Sequence, residues 1–357
     1  MSVRVISIIL FFSCALIYSA CISELEFEPD RDLENLVSIQ GKLVKGDIHT
    51  ITIFTSKVRD FSGRNTPVLV KAATLFNELG QSIEIPLIAT GVNQLRISPD
   101  SDDFVIDDFM AFYIEVRVDD GRLFKSEAEQ LLPVPKVDSL TFEVLETLEI
   151  GPTEELITTE KVFLFVNTDL HVPNTTIPVS LRWTYEEVYE LTEGPIIPTT
   201  APLRTCYVTQ SLGATQETVL NPINVEPERL DHFNLFERDI TFTYAEANHF
   251  IAMQHSLTNS AFEYFDMLSN VITRSGSIFD TPAGLVSTNI TNVGDPSEEV
   301  FGFFYATEID TARVFISKEA TGCTARRCPP MYPPDDACVN CLLERRSTLT
   351  QPDWWME

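Results

Sequence analysis

Basic side chains are scarce: 25 Lys and Arg stand against 53 Asp and Glu over 357 residues, a formal charge of −28. Nucleic-acid phosphates need neutralising cations, so this balance excludes DNA and RNA as partners on bulk electrostatics. Catalytic spacing is missing as well. The chain has no His-Glu-x-x-His, no Gly-x-Ser-x-Gly and no phosphate-cradling glycine loop. The five histidines, His49, His171, His232, His249 and His255, are scattered. Only His249 and His255 are near each other, on one face of a strand and without a third ligand. Carboxylates are so abundant that no pair can be singled out as a glycosidase dyad. Internal repeats of about 20 to 50 residues are absent too, which argues against repeat architectures.

Long apolar runs are also lacking. The longest stretch, Val5 to Ile17, falls short of the about 20 residues a membrane-spanning helix needs, but it suits the core of a signal peptide. Arg4 is the only charge in the first twenty residues, and the run ends in Tyr18-Ser19-Ala20-Cys21. Small residues before a cysteine are what a bacterial lipoprotein signal peptidase requires, although Tyr18 stands where Leu is commoner. The spacing predicts a signal peptide over 1–20 and a lipidated Cys21; the other reading is an ordinary signal peptide with Cys21 incidental. Several acyl chains on one residue, at about 0.8 kcal/mol per buried CH₂, would anchor the chain stably. Loss of residues 1–20 removes Arg4 and no acid, leaving a formal charge of −29. Anionic headgroups repel such a body, so lipid alone would hold it at a membrane. Residues 21–34 form an acidic tether, with Glu24, Glu26, Glu28, Asp30 and Asp32. The run reads either as a surface-export signal or as a solvated spacer.

Hydrophobic residues make up 44% of the chain, enough for a packed interior and for two or three domains. Past the tether the dominant period is two. His49 to Thr55 and Pro67 to Phe76 read as strands, and Phe112, Ile114, Val116 and Val118 alternate with polar residues before Asp120-Gly121, a hairpin signature of type I′. The fold class is mainly β: an immunoglobulin-like β-sandwich over 35–135, closed by Pro133-Val134-Pro135, then a larger β-rich domain over 136–320. Strands are predicted at Ser139–Leu145, Lys161–Val166, Val179–Tyr189, Val300–Ala306 and Ala312–Ser317, with a proline-rich loop over 193–203. One amphipathic helix is predicted near 260–274. Ser260 and Glu263 have capping-box spacing, and Ala261, Tyr264, Phe265, Leu268, Val271 and Ile272 share a face.

The remaining segment, 321–357, is rich in Cys, Pro and Trp. Cys206, Cys323, Cys328, Cys338 and Cys341 are five thiols in an exported chain, which favours disulfides over a four-cysteine zinc site. Five cannot all pair. At least one bridge is expected within the tail, and one from Cys206 to the tail stays open. Trp354 and Trp355 are either a plug that docks a partner or a pair packed back on the body. Asp100, Asp102 and Asp103, with Asp107 and Asp108, offer oxygens to Ca²⁺ but lack the glycine and glutamate of an EF-hand loop, and read equally as a solvated acidic loop.

The chain also carries a set of stretches in fixed order. They are Asp120-Gly121-Arg122-Leu123-Phe124, Leu181-Arg182-Trp183-Thr184-Tyr185, Cys206-Tyr207, His255-Ser256-Leu257 before Ala261-Phe262-Glu263-Tyr264-Phe265, and Gly276-Ser277-Ile278-Phe279-Asp280. Asn289 to Val293, Gly302-Phe303-Phe304, Arg313 to Ile316, Cys338-Val339-Asn340-Cys341 and Pro352-Asp353-Trp354-Trp355 follow. Together they resemble the Bacteroidota surface lipoproteins grouped as domain of unknown function 4249. Two departures stand out: Asn340 replaces a frequent acidic residue, and Arg345-Arg346-Ser347 replaces a glycine pair. The resemblance implies an outer-membrane lipoprotein facing the cell exterior, a non-enzymatic accessory subunit of a TonB-dependent barrel that captures cargo or covers its mouth. It supplies no catalytic residue. The alternatives are a stand-alone structural or adhesive surface lipoprotein, and a degradative hydrolase.

Overall fold

The computed structural model describes residues 36–57, 66–87, 92–99, 103–151, 154–194, 202–213, 217–224, 229–274, 286, 288–328 and 335–355. The expected signal peptide, the tether and Cys21 lie outside them. The molecule is mainly β, as the period-two patterning implies. Its first strands are β1 (Val37–Lys45), β2 (His49–Lys57), β3 (Thr66–Pro67), β4 (Val70–Asn77), β5 (Ser82–Glu84), β6 (Val92–Ile97), β7 (Ala111–Val118), β8 (Leu123–Ser126) and β9 (Glu129–Gln130). Strands β1, β2, β3 and β6 belong to one sheet; β4, β5, β7, β8 and β9 form the sheet facing it. Alternate side chains from both, including Ile39, Leu43, Ile51, Phe112, Ile114 and Val116, fill one core.

The hairpin β7–β8 forms, but its turn differs from the type I′ expected. Among its residues only Gly121 has positive φ (+95°), and the Gly121 amide donates to the Val118 carbonyl while the Val118 amide donates to the Arg122 carbonyl. This is a three-residue loop with a left-handed glycine closing it, which requires one positive φ where type I′ requires two.

The chain continues through β10 (Val137–Ile150), β11 (Leu156–Asp169), β12 (Ser180–Thr192), β13 (Thr205–Ser211), β14 (Thr218–Leu220), β15 (Arg229–Asp239), β16 (Asn248–Leu257) and the helix α1 (Asn259–Arg274). Then come β17 (Ile290–Asn292), β18 (Val300–Phe301), β19 (Phe304–Ile316), two short helices, α2 (Lys318–Thr321) and α3 (Asp336–Val339), and β20 (Ser347–Thr348). The three-stranded sheet β10-β11-β15 packs over β12, β16 and the end of β19, around a second core that includes Leu164, Trp183, Tyr185 and Phe250.

The expected boundary at residue 135 does not close the first unit. Ile290, Val300, Phe304 and Ala306 lie in the N-terminal core, and β17 extends the sheet through β8. The two strands expected at Val300–Ala306 and Ala312–Ser317 are bridged by one long strand, β19. Its first residues, Phe304–Glu308, run parallel to β1 and its remainder pairs antiparallel with β16, so a single eleven-stranded sheet serves both cores. The Pro133-Val134-Pro135 connector is pinned to it. The Val134 amide donates to Glu308 (3.0 Å), the Val137 amide to Asp310 (2.8 Å), and the Gln254 amide group to the Pro135 carbonyl (2.7 Å).

Helix α1 starts earlier than its capping-box spacing suggests. The Thr258 hydroxyl accepts from the Ala261 amide (3.2 Å), and the Ser260 hydroxyl instead donates to Glu129 (2.7 Å). Tertiary hydrogen bonding thus takes Ser260 away from the cap. Ala261, Tyr264 and Phe265 are buried against Leu257, Phe303 and Tyr305, as the apolar stripe implies. Among the described residues no helix is long and apolar enough to cross a membrane.

The junction between β18 and β19 tolerates no side chain. Gly302 has φ +97°, and a Cβ there would sit 2.0 Å from the Ile39 carbonyl oxygen. Gly302→Ala is expected to destabilise the protein by more than about 2 kcal/mol, from the left-handed backbone and the clash with β1 together. Denaturant titration measures this, and an unchanged midpoint would show that the junction is slack.

Candidate functional site

Strands β12 and β16 are buried on both faces. Leu181, Trp183 and Tyr185 point into the second core, whereas Arg182, Thr184 and Val188 point to the outer face, opposite His255, Met253 and His249. Two covers lie on that outer face: α1 at one end and the last residues of the chain at the other.

At the α1 end, Arg182 is 8% exposed. Its Nε and Nη2 donate to Glu217 Oε2 (2.9 and 2.6 Å), its Nη1 donates to the Tyr305 hydroxyl (2.9 Å), and its guanidinium lies 3.9 Å from the Phe265 ring centroid. Such a cation is satisfied by geometry that Lys cannot reproduce. Beside it, His255 contacts the Thr184 hydroxyl through Nε2 (3.1 Å). Burial, reinforced by the Arg182 cation, holds its imidazole well below the usual range, so it is neutral.

Next to the helix start, Glu129 is buried and accepts from the hydroxyls of Thr258 (2.5 Å) and Ser260 (2.7 Å). Burial raises its carboxyl above the ordinary range, against the pull of those hydrogen bonds. A carboxyl raised on folding favours the native state below its unfolded pKa, and that advantage is lost as pH rises through the folded value. Wild type should therefore gain stability relative to Glu129→Gln between about pH 7 and about pH 5. Thermal melts of both proteins at the two pH values test this; a constant difference would contradict it.

The tail is stapled at two places. Cys206 on β13 is bonded to Cys341, 135 residues away, and Cys328 to Cys338, 10 residues away. Cys323, also a disulfide candidate, remains a buried thiol. It lies in the second core and its Sγ donates to the Thr241 carbonyl (3.1 Å). The Asn340 amide oxygen accepts from the Leu342 amide (3.2 Å) and from Arg204 (2.9 Å). Arg204 also binds Glu193 (2.6 Å) and holds that carboxyl below its usual range. Arg346 adopts φ +59°, a left-handed conformation offset by its contacts with Ser211 (2.6 Å) and Glu186 (3.0 Å). Loop-closure entropy ranks the bridges: the long one constrains the unfolded chain by about 5 kcal/mol, the short one by about 3 kcal/mol. Cys206→Ser/Cys341→Ser should thus melt lower than Cys328→Ser/Cys338→Ser, and calorimetry of the two variants reads the order directly.

At the other end of the outer face, the terminal tryptophans fold back. Trp355 is 7% exposed, with ring centroids 4.4 Å from His249 and 4.9 Å from Tyr207, so it is not a free docking plug. Apolar area decides this: the ring closes a cluster with Val188 and Ile251. Trp354 is half-buried and carries the exposed Arg313 guanidinium 4.8 Å from its ring centroid. Arg313 and Trp354, with the half-buried Met253 between the two covers, give this face a mixed cationic and aromatic surface.

Asp100 and Asp102 lie outside the described residues, and Asp103 is exposed. Among the described residues no group of three or more His, Cys, Asp or Glu is placed to hold a metal ion. A cleft of about 490 Å³ lies between the end of β12 and residues 323–328, lined by acids (Glu193, Glu246) and bases (Lys318, Arg327) alike. Sequence reasoning missed Arg182, Glu217 and Glu129. The available signal was Arg182 and Thr184 alternating with Leu181, Trp183 and Tyr185, a charged residue inside an aromatic strand whose second face is also covered.

The sequence profile of a family described as Domain of unknown function (DUF4249) matches residues 22–313. It ends within β19, so the stapled tail and both terminal tryptophans lie beyond the match. No curated protein matches the chain.

Proposed function

The chain belongs to the family of the domain of unknown function DUF4249, and from that premise we propose that it is a lipid-anchored lipoprotein of the Bacteroidota outer membrane, facing the cell exterior. In this reading it serves a TonB-dependent barrel as a non-enzymatic accessory subunit, capturing cargo or covering the barrel's mouth. The observation that carries the reading is the Tyr18-Ser19-Ala20-Cys21 boundary: the family match begins at residue 22, the position after the cysteine that would take the lipid. The acidic run that follows supplies a solvated spacer between bilayer and body. The N-terminal sheet pair is read as an immunoglobulin-like β-sandwich completed by β17 and β18, a scaffold that presents surfaces more than it encloses substrates.

Native protein isolated from membranes should have a first residue, Cys21, heavier by its acyl groups, and a tagged copy solubilised in detergent should bring a barrel protein with it. Intact-mass analysis and affinity purification test the two halves. An unmodified amino terminus, or repeated purification without a barrel, would refute the reading.

A further inference from the structure

The antiparallel pair β10–β11 is longer than the body it packs on. Its register runs unbroken from Ser139↔Asn167 to Ile150↔Leu156, whereas β15 pairs with β11 only as far as Lys161↔Asp239. Beyond Leu145↔Lys161 the two strands therefore continue as a two-stranded arm, closed by a turn in which the Gly151 amide donates to the Glu155 carbonyl (2.7 Å).

The arm's two faces differ. On one, Lys161 is paired with Glu149, Glu237 and Asp239, and Thr147 bonds Thr159 (3.0 Å), so that face is internally satisfied. The other continues the row of Leu140, Phe142, Val144, Val162 and Leu164 that packs into the second core. Past the core it presents Leu148, Ile150 and Leu156, exposed by 72, 76 and 72%. At its root Glu146 sits directly opposite Glu160, and neither makes an ion pair among the described residues. Like charges facing each other across a ladder are unfavourable, and an isolated ribbon is marginal in water. Both penalties vanish if a surface with cations at the root and apolar groups at the tip lies against this face.

We propose that the free face of the β10–β11 arm docks a partner protein whose surface sets Lys or Arg beside an apolar groove, the cations reaching Glu146 and Glu160 and the groove taking Leu148, Ile150 and Leu156. The inference goes beyond the accessory-subunit reading, since it fixes how a partner is held and not which one. Charge selects the occupant. A second copy would bring the same carboxylates against each other, and an anionic bilayer repels an arm that also carries Glu149, Glu154 and Glu155. The chain's own acidic segment over 21–34 is repelled likewise. A basic protein surface is complementary to a chain of charge −28, or −29 without residues 1–20.

The test uses the full-length chain in its native host, with the photo-crosslinking amino acid p-benzoylphenylalanine in place of Leu148, or of the control Leu79, which is 63% exposed on the β4–β5 turn. Irradiation should give one protein adduct at Leu148 and not at Leu79, mapping to an apolar segment flanked by Lys or Arg. Glu146→Lys with Glu160→Lys should cut its yield by about fivefold or more, and 0.5 M salt on unaltered membranes should lower it as well. The salt arm keeps the outcome readable should the double variant fail to fold. No adduct, an adduct with lipid or with a second copy, or a protein adduct indifferent to both charge reversal and salt would overturn the proposal. A mapped, charge-dependent adduct with a protein other than a barrel would uphold it while refuting the barrel reading.

Discussion

Strand β19 is shared by two cores, and the rest of the architecture depends on that sharing. Its first residues pair with β1, where Phe304 and Ala306 fill the N-terminal core, and its last pair with β16, where Ile316 enters the second. Glu308 and Asp310, at its middle, accept from the backbone of the connector between the two units. A chain segment near residue 305 thereby completes a structure begun near residue 37. The closure is a long-range parallel pairing, which gains nothing until a large loop has been ordered. The two cores are consequently joined through one continuous sheet.

That arrangement explains where polar groups are buried. A sheet covered on both faces has no solvent side on which to leave charges, so Arg182 and Glu187 are held by specific partners, and so is Glu129, buried on β9 of the other sheet. Arg182 takes Glu217 and Tyr305. Glu187, fully buried on the other face, takes Arg238 and the Thr243 and Asn248 side chains, while Glu129 takes two hydroxyls at the start of α1. Interior ion pairs add little net stability but penalise misplacement heavily, because a lone buried charge is costly. Other registers, which would part these pairs, are thereby made costly. The stapled tail acts similarly at the far end, where Cys206–Cys341 fastens β20 and the terminal tryptophans to the edge of the sheet.

Much of this was legible locally. Alternation at Phe112–Val118 and the apolar stripe of α1 specify a strand and a helix face, since period and burial are the same information. What could not be read was long-range. Val300–Ala306 and Ala312–Ser317 look like separate strands because four of the five intervening residues, Thr307, Glu308, Asp310 and Thr311, are polar, in the stretch where the sheet passes from one core to the other. Ser260 and Glu263 match a capping box, yet Glu129, 131 residues earlier, claims the serine. Asp120-Gly121 announces a hairpin without saying that Asp119 joins the loop. The β10–β11 arm went unread: the strands predicted at Ser139–Leu145 and Lys161–Val166 stop where it begins, and only the early end of β15 shows that Leu148, Ile150 and Leu156 are uncovered.

The central claim is that one strand makes the two cores a single cooperative unit. Equilibrium unfolding in denaturant, followed together by Trp183 fluorescence for the second core and by hydrogen exchange of the β7 amides for the first, tests it most directly. The account predicts one midpoint for both probes. Two separated transitions, with β7 protected after Trp183 has been released or the reverse, would contradict it.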